Sequence, residues 1–211
     1  MNPMKYLVEF IGMFFLVFTI GMTVIEPNGA GAMAPLAIAA ALMVMVYAGG
    51  HISGAHYNPA VTFAVFLRGK CTLADVAPYI IAQIIAAACA AFVVLYLKGD
   101  AKITAVAINP VPALIAEFLF TFALVYVVLN VATAKANAGN SFYGLAIGFI
   151  VLAGAYSVGS ISGGAFNPAV AVGLGVMGLV KWADLWVHLV GEVAGAVAAA
   201  LAFKAITGEK N

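Results

Sequence analysis

Charge is what this sequence has least of. Lysine, arginine, aspartate and glutamate make up 8% of its 211 residues, against 65% hydrophobic. A soluble domain carries about 25% charge. A water-facing surface cannot be built from so little, so a soluble globular protein is excluded. Nine basic and eight acidic side chains leave a net charge of +1, so there is no footprint for nucleic acid. Cysteine is scarcer still. Cys71 and Cys89 supply neither a disulfide framework nor a metal set. No nucleophile–base pair stands out, and nothing implies a cofactor, which argues against an enzyme. The alternating segments of about ten residues that mark a membrane barrel are absent too. What remains is an all-α membrane protein, whose helices satisfy their own backbone hydrogen bonds in lipid.

What is present is a series of long apolar runs. Phe10–Ile25 is uncharged. The preceding segment holds a lone Lys5 and then Glu9, which suits a first span and not a cleaved leader. Pro27–Leu67 carries no formal charge for 41 residues, Val76–Leu97 for 22 and Ala136–Val180 for 45. Ile103–Ala134 is broken only by Glu117, and Leu185–Phe203 only by Glu192. A spanning helix needs about 20 residues. The two longest runs therefore hold one span plus something shorter, with Gly, Ser, His and Pro in between. The pattern predicts full helices near 4–25, 33–49, 74–97, 111–133, 142–158 and 183–205. It predicts half helices near 59–67 and 168–178, with Pro59 and Pro168 at their first turns.

The chain repeats itself. "HISGAHYNPAV" at 51–61 returns as "SISGGAFNPAV" at 160–170, so Asn58 and Asn167 stand 109 apart. Gln83 and Glu192 share that offset, while Glu9 and Glu117 lie 108 apart. Gly144 and Gly148 match Pro35 and Ala39, and Gly191 and Gly195 match Ala82 and Ala86. Small residues four apart suit close helix crossings in lipid. The reading is one channel domain, 1–211, built from repeats 1–105 and 106–211. Three spans per repeat is an odd number, so the second repeat inserts upside down. With the N-terminus inside, Lys5, Arg68, Lys70, Lys135, Lys204 and Lys210 face the cytoplasm, while Lys98, Lys102 and Lys181 face out. That obeys the positive-inside rule. Trp182 and Trp186 read as an interfacial anchor beside Lys181.

A half helix of about ten residues is about 15 Å long, so two entering from opposite sides meet near the midplane. Each N-terminus brings a partial positive charge and free N–H groups. Asn58 and Asn167 occupy the N-cap positions, with their amides pointing into whatever lies between. Non-helical backbone at membrane depth must line a cavity or be buried in protein. The carbonyls of Gly54, Ala55, His56 and Tyr57, and of Gly163, Gly164 and Ala165, are therefore expected along the passage. Such a passage repels cations and protons and admits small neutral solutes.

Two Asn-Pro-Ala motifs (Asn58, Pro59, Ala60 and Asn167, Pro168, Ala169) in "HISGAHYNPAVT" and "GGAFNPAV", with six spans and an inverted repeat, resemble the aquaporin or major intrinsic protein family over the whole chain. The resemblance implies six spans with two re-entrant half helices, a pore in every subunit and a homotetramer. It implies that Glu9 and Glu117 brace the re-entrant loops, with proton relay as the alternative for these buried acids. It places the selectivity filter at Ile38, Ala155, Gly164 and Val170. Most members carry Arg where this chain has Val170. The expected filter is wide, apolar and uncharged, passing water with glycerol, urea, ammonia or undissociated metalloid acids. His51 is expected to brace its loop. His188 and Glu192 depart from the family pattern, and a buried hydrogen-bonded pair is expected of them. A secondary transporter, a water-only aquaporin and a closed junction protein stand as alternatives. A multi-pass prokaryotic plasma-membrane protein with cytoplasmic termini is the expected setting.

Overall fold

The computed structural model describes residues 2–209, so Lys210 lies outside the described residues. Eight α-helices follow in order: α1 Pro3–Val24, α2 Ala34–Ser53, α3 Pro59–Leu67, α4 Leu73–Lys98, α5 Pro110–Val128, α6 Tyr143–Ser162, α7 Pro168–Val176 and α8 Leu185–Thr207. Six of them are long and apolar enough to cross a membrane. The other two, α3 and α7, are nine residues each.

Local chemistry explains the boundaries. Asn2 caps α1 by accepting from the Met4 N–H at 3.0 Å, with Pro3 in the first turn. Each half helix begins at Asn-Pro, as the sequence predicts. The helices before them differ from expectation: α2 and α6 run to Ser53 and Ser162, four residues past the predicted 49 and 158. Gly49 and Gly50 do not break α2, although glycine costs about 1 kcal/mol against alanine in a helix. Packing decides, because the Tyr57 hydroxyl lies where a Cβ on Gly49 would be. The stops come at Gly54 (φ 88°) and Gly163 (φ 92°), left-handed positions that suit glycine. Their N–H groups close the last turns on Gly50 and Gly159. The end of α5 widens into a π turn over Leu129–Thr133, where the Asn130 and Thr133 side chains bond back to Tyr126 and Leu129 carbonyls.

Glycine sets the closest crossings. Between α2 and α6, a methyl on Gly148 would come within 2.7 Å of the Ala39 carbonyl oxygen. Between α5 and α8, one on Gly195 would come within 2.5 Å of the Phe118 carbonyl oxygen. These are the small residues that the repeat singled out, and they let backbones approach as lipid-embedded helices require. α3 packs against α8 and α5 as well as α4, while α7 packs against α4 and α1 as well as α8. Each half helix thus docks into the other half of the chain.

The two ends of the bundle separate as the charge pattern expected. Lys5 pairs with Asp75 at 3.8 Å, Arg68 pairs with Glu209, and the Lys135 N–H donates to Glu209 at 3.0 Å. At the opposite end Lys98 donates to the Ile25 and Pro27 carbonyls. Arg68 is not a loose surface charge, being 1% exposed with its guanidinium over the Phe203 ring.

Candidate functional site

The half helices meet at their N-termini, and the meeting is reciprocal. Asn58 Oδ1 accepts from the N–H groups of Ala60 and Val61 at 2.8 and 3.4 Å. Asn167 Oδ1 accepts from those of Ala169 and Val170 at 3.0 and 3.4 Å. With each oxygen spent on its own helix, each amide turns outward, as the cap geometry requires. There the structure adds something. Asn58 Nδ2 donates to the Phe166 carbonyl at 2.9 Å, and Asn167 Nδ2 donates to the Tyr57 carbonyl at 2.8 Å. One proton of each amide is committed to the opposite loop. The second proton of Asn58 has no partner, whereas Asn167 Nδ2 also lies 4.0 Å from the weak acceptor Met13 Sδ.

The loops before the asparagines are irregular because three non-glycine residues take left-handed backbone. Ala55, Tyr57 and Phe166 have φ of 50°, 45° and 48°. Such positions cost about 1 kcal/mol or more each and persist because buried acids hold the loops. Glu9 is fully buried and accepts from Ser53 Oγ, the His56 and Tyr57 N–H groups and Gln83 Nε2, all within 2.9 Å. Glu117 is equally buried and accepts from Ser162 Oγ at 2.5 Å, the Ala165 N–H at 3.1 Å and the Phe166 N–H at 2.7 Å. With the N–H groups drawn to the acids, the carbonyls are left to face elsewhere. The Tyr57 carbonyl is taken by Asn167.

Two sequence expectations are corrected. His51 is exposed and makes none of these bonds. The bracing on that loop comes from Ser53 and from Tyr79, whose hydroxyl donates to the Ser53 carbonyl at 2.7 Å. His188 and Glu192 do not bond each other. His188 Nε2 donates to the Ser162 carbonyl at 2.8 Å, and Glu192 accepts from the Asn167 N–H at 2.8 Å. A helical face shared by residues four apart brings them near, but each has a better partner in the loop.

Ser53, Ser162 and Tyr79 are functional neighbours that the sequence reading does not single out, while Gln83 enters it only as the repeat partner of Glu192. The signal was present. Ser53 and Ser162 stand 109 apart, as do Tyr79 and His188. The same positions do the same work in both halves. His56 joins them: its Nδ1 lies 3.1 Å from Thr62 Oγ1, which donates to the Asn58 carbonyl and so must accept from the ring.

A cavity of about 240 Å³ runs along this junction. Asn58, Asn167, Ile38, Ala155, Gly164 and Val170 all line it, with Ala55, His56, Tyr57, Gly163 and Ala165. Leu16, Ile20, Leu124, Val128, Ile147 and Val151 add apolar wall. Among the described residues no Lys, Arg, Asp or Glu lines it. Gly54 lies instead on a second cavity of about 270 Å³ at the end that carries Lys5 and Lys70. His56 and Val128 border both. The arrangement offers helix N-termini and amide donors beside apolar wall, which favours small neutral hydrogen-bonding solutes over cations.

Six spans around two opposed half helices, with an apolar-walled cavity whose asparagine amides sit where those helices meet, define a membrane channel. The chain belongs to the major intrinsic protein family, whose model matches residues 2–203. It is 37% identical to aquaporin NIP1-4 of Oryza sativa subsp. japonica, over 97% of this chain and 78% of that protein. It is 35% identical to glycerol uptake facilitator protein-like 6 of Lactiplantibacillus plantarum, over 97% of this chain and 99% of that one. In fold it is similar to the aquaglyceroporin from Plasmodium falciparum, with a TM-score of 0.81 at 23% identity over 97% and 96% of the two chains. This is therefore a multi-pass membrane protein and a passive channel for water and small solutes, not an enzyme. Family membership sets aside the transporter and junction readings.

Proposed function

We propose that this channel carries water together with larger neutral solutes, glycerol and urea among them, with ammonia and undissociated metalloid acids in the same class. The observation that carries the reading is the lining of the 240 Å³ cavity, where Val170 stands with Ile38, Ala155 and Gly164 and no charged side chain joins them. An arginine at 170 would add a fixed charge and several donors; valine adds neither. Ala155 and Gly164 leave bulk out. The carbonyls of Gly54, Ala55, His56, Gly163, Gly164 and Ala165 supply acceptors along the path, and Asn58 and Asn167 supply donors at its centre. Exclusion of cations rests on that centre. The name of the Lactiplantibacillus relative, a glycerol uptake facilitator-like protein, agrees with this solute class.

The same reading takes 1–105 and 106–211 as inverted repeats and the assembly as a homotetramer. Apolar side chains exposed on the outer helix faces, such as Phe15, Ile81, Phe92 and Phe149, offer surface for both lipid and neighbouring copies. It places the protein in a prokaryotic plasma membrane with cytoplasmic termini. Stopped-flow on proteoliposomes with water, glycerol and urea tests the solute class: all three should pass in proportion to their gradients. Passage of water alone would overturn it. Native mass measurement in mild detergent should return four chains.

A further inference from the structure

Glu192 and Glu117 are both fully buried and accept from adjacent backbone N–H groups, those of Asn167 and Phe166, while a Cβ on Gly191, next to Glu192, would lie 3.1 Å from the Glu117 Cβ. Two carboxylates cannot both be ionised at such range in a dry interior without a counter-charge. The candidates for that charge are few. α8 packs on α5, α3 and α7. α3 and α7 contain no titratable side chain, α5 contributes Glu117 and Tyr126, and α8 with the turn that opens it contributes His188, Lys204 and Asp184, the last two about 18 and 12 Å along the helix from Glu192. His188 Nε2 is 3.9 Å from Glu117 Oε1 but is already 2.8 Å from the Ser162 carbonyl, to which it must donate. Its Nδ1 has no partner. An imidazolium would leave a second buried N–H there with no acceptor, so His188 offers no ready counter-charge.

The first half of the chain shows what the second lacks. Gln83, at the position matching Glu192, donates its amide to Glu9 at 2.8 Å. Glu117 has no glutamine beside it. It accepts three N–H or O–H donors, while Glu192 accepts one, on Oε1, and its Oε2 has no donor pointed at it. The anion belongs on the acid with three donors. We propose that Glu192 is a neutral carboxylic acid that donates its proton to Glu117, taking the place of the Gln83 amide. Its other oxygen holds the Asn167 N–H, which makes Glu192 a positioning residue for the second pore asparagine. The Asn167 backbone gains an acceptor that the Gln83 carbonyl oxygen, unpartnered in the structure, does not give Asn58. This rests on the reading that Asn167 lines the passage.

Infrared spectra of the full-length protein in liposomes test it. Wild type should show the carbonyl stretch of a protonated carboxylic acid, shifted in heavy water, and Glu192→Gln should lose it. Glutamine reproduces both hydrogen bonds, so E192Q should keep water permeability within about twofold of wild type. Leucine reproduces neither, so E192L should lose at least about fivefold, the effect of one buried donor left unpaired. An unchanged spectrum in E192Q overturns the proposal. So does an E192Q permeability as low as that of E192L, or an E192L permeability equal to wild type. Should E192L fail to fold, the E192Q spectrum and flux still decide. The wide-filter reading is judged by solute selectivity and not by this band, so either can fail alone.

Discussion

The side-chain amide of Asn58 donates to the carbonyl oxygen of Phe166, 108 residues away, at 2.9 Å. Asn167 returns the bond to Tyr57 at 2.8 Å. Each asparagine therefore caps its own half helix and ties down the opposite loop while lining the cavity between them. The two loops cannot move apart without breaking both bonds. Rigid donors in a narrow path are what a selective passive channel needs.

Serine is as good a helix cap as asparagine but is too short to reach across the junction. Asn58→Ser should keep α3 and leave the buried Phe166 carbonyl unpaired, at a cost of about 1–3 kcal/mol. Asn167→Ser should do the same to Tyr57. Because both bonds tie the same two loops, the double variant should depart from additivity by at least about 0.5 kcal/mol. Thermal unfolding midpoints in detergent measure this; simple additivity would mean the loops are held independently.

Glu9 receives four donors and gives none. Glu9→Gln would point an NH₂ at one of them and lose the charge that strengthens the rest. The expected loss is about 2–4 kcal/mol of stability, since hydrogen bonds to charged groups are the stronger ones. A proton-relay role predicts something else: intact folding with altered proton flux. Unfolding curves and a pH-dye flux assay separate the two.

Val170→Arg should restore charge and bulk at the cavity wall. Glycerol and urea flux should fall at least about tenfold relative to water, the effect of about 1.4 kcal/mol at a barrier. An unchanged solute ratio would mean that Val170 does not stand at the narrowest point.

Cys71 lies in the α3–α4 connection, at the end of the bundle that carries Lys5 and Arg68. Cys89 is mid-helix on an exposed face. A membrane-impermeant maleimide should label Cys71 from the cytoplasmic side only and leave Cys89 untouched. Burial, then the nearby Asp75 carboxylate, push the Cys71 thiol up, so labelling should quicken as pH rises and the reactive thiolate forms. Labelling from outside would reverse the topology.

Much of this was legible in the chain. Pro59 and Pro168 mark the half-helix starts because proline suits a first turn and an Asn before it caps. Gly148 and Gly195 announce crossings because nothing larger fits. The end of α2 reads short in the sequence because Gly49 and Gly50 look like breakers until the Tyr57 hydroxyl is seen against the first and the Tyr143 ring against the second. His51 sits in the repeated motif, which suggests bracing, but it is exposed and bonds none of the loop's N–H groups. Ser53 and Tyr79 stand at the repeat offset from Ser162 and His188, but nothing local in an apolar run says which carbonyl or carboxylate they reach.

By itself, then, the sequence determined a helical membrane channel with two opposed half helices, because length, hydropathy and capping are local properties repeated at a fixed offset. Only the tertiary structure decided which atoms meet. Asn58 finds Phe166 and Glu192 finds Asn167 across 108 and 25 residues. No local preference encodes such a partner; it follows from helices that bring unsatisfied donors and acceptors together where there is no water to take them.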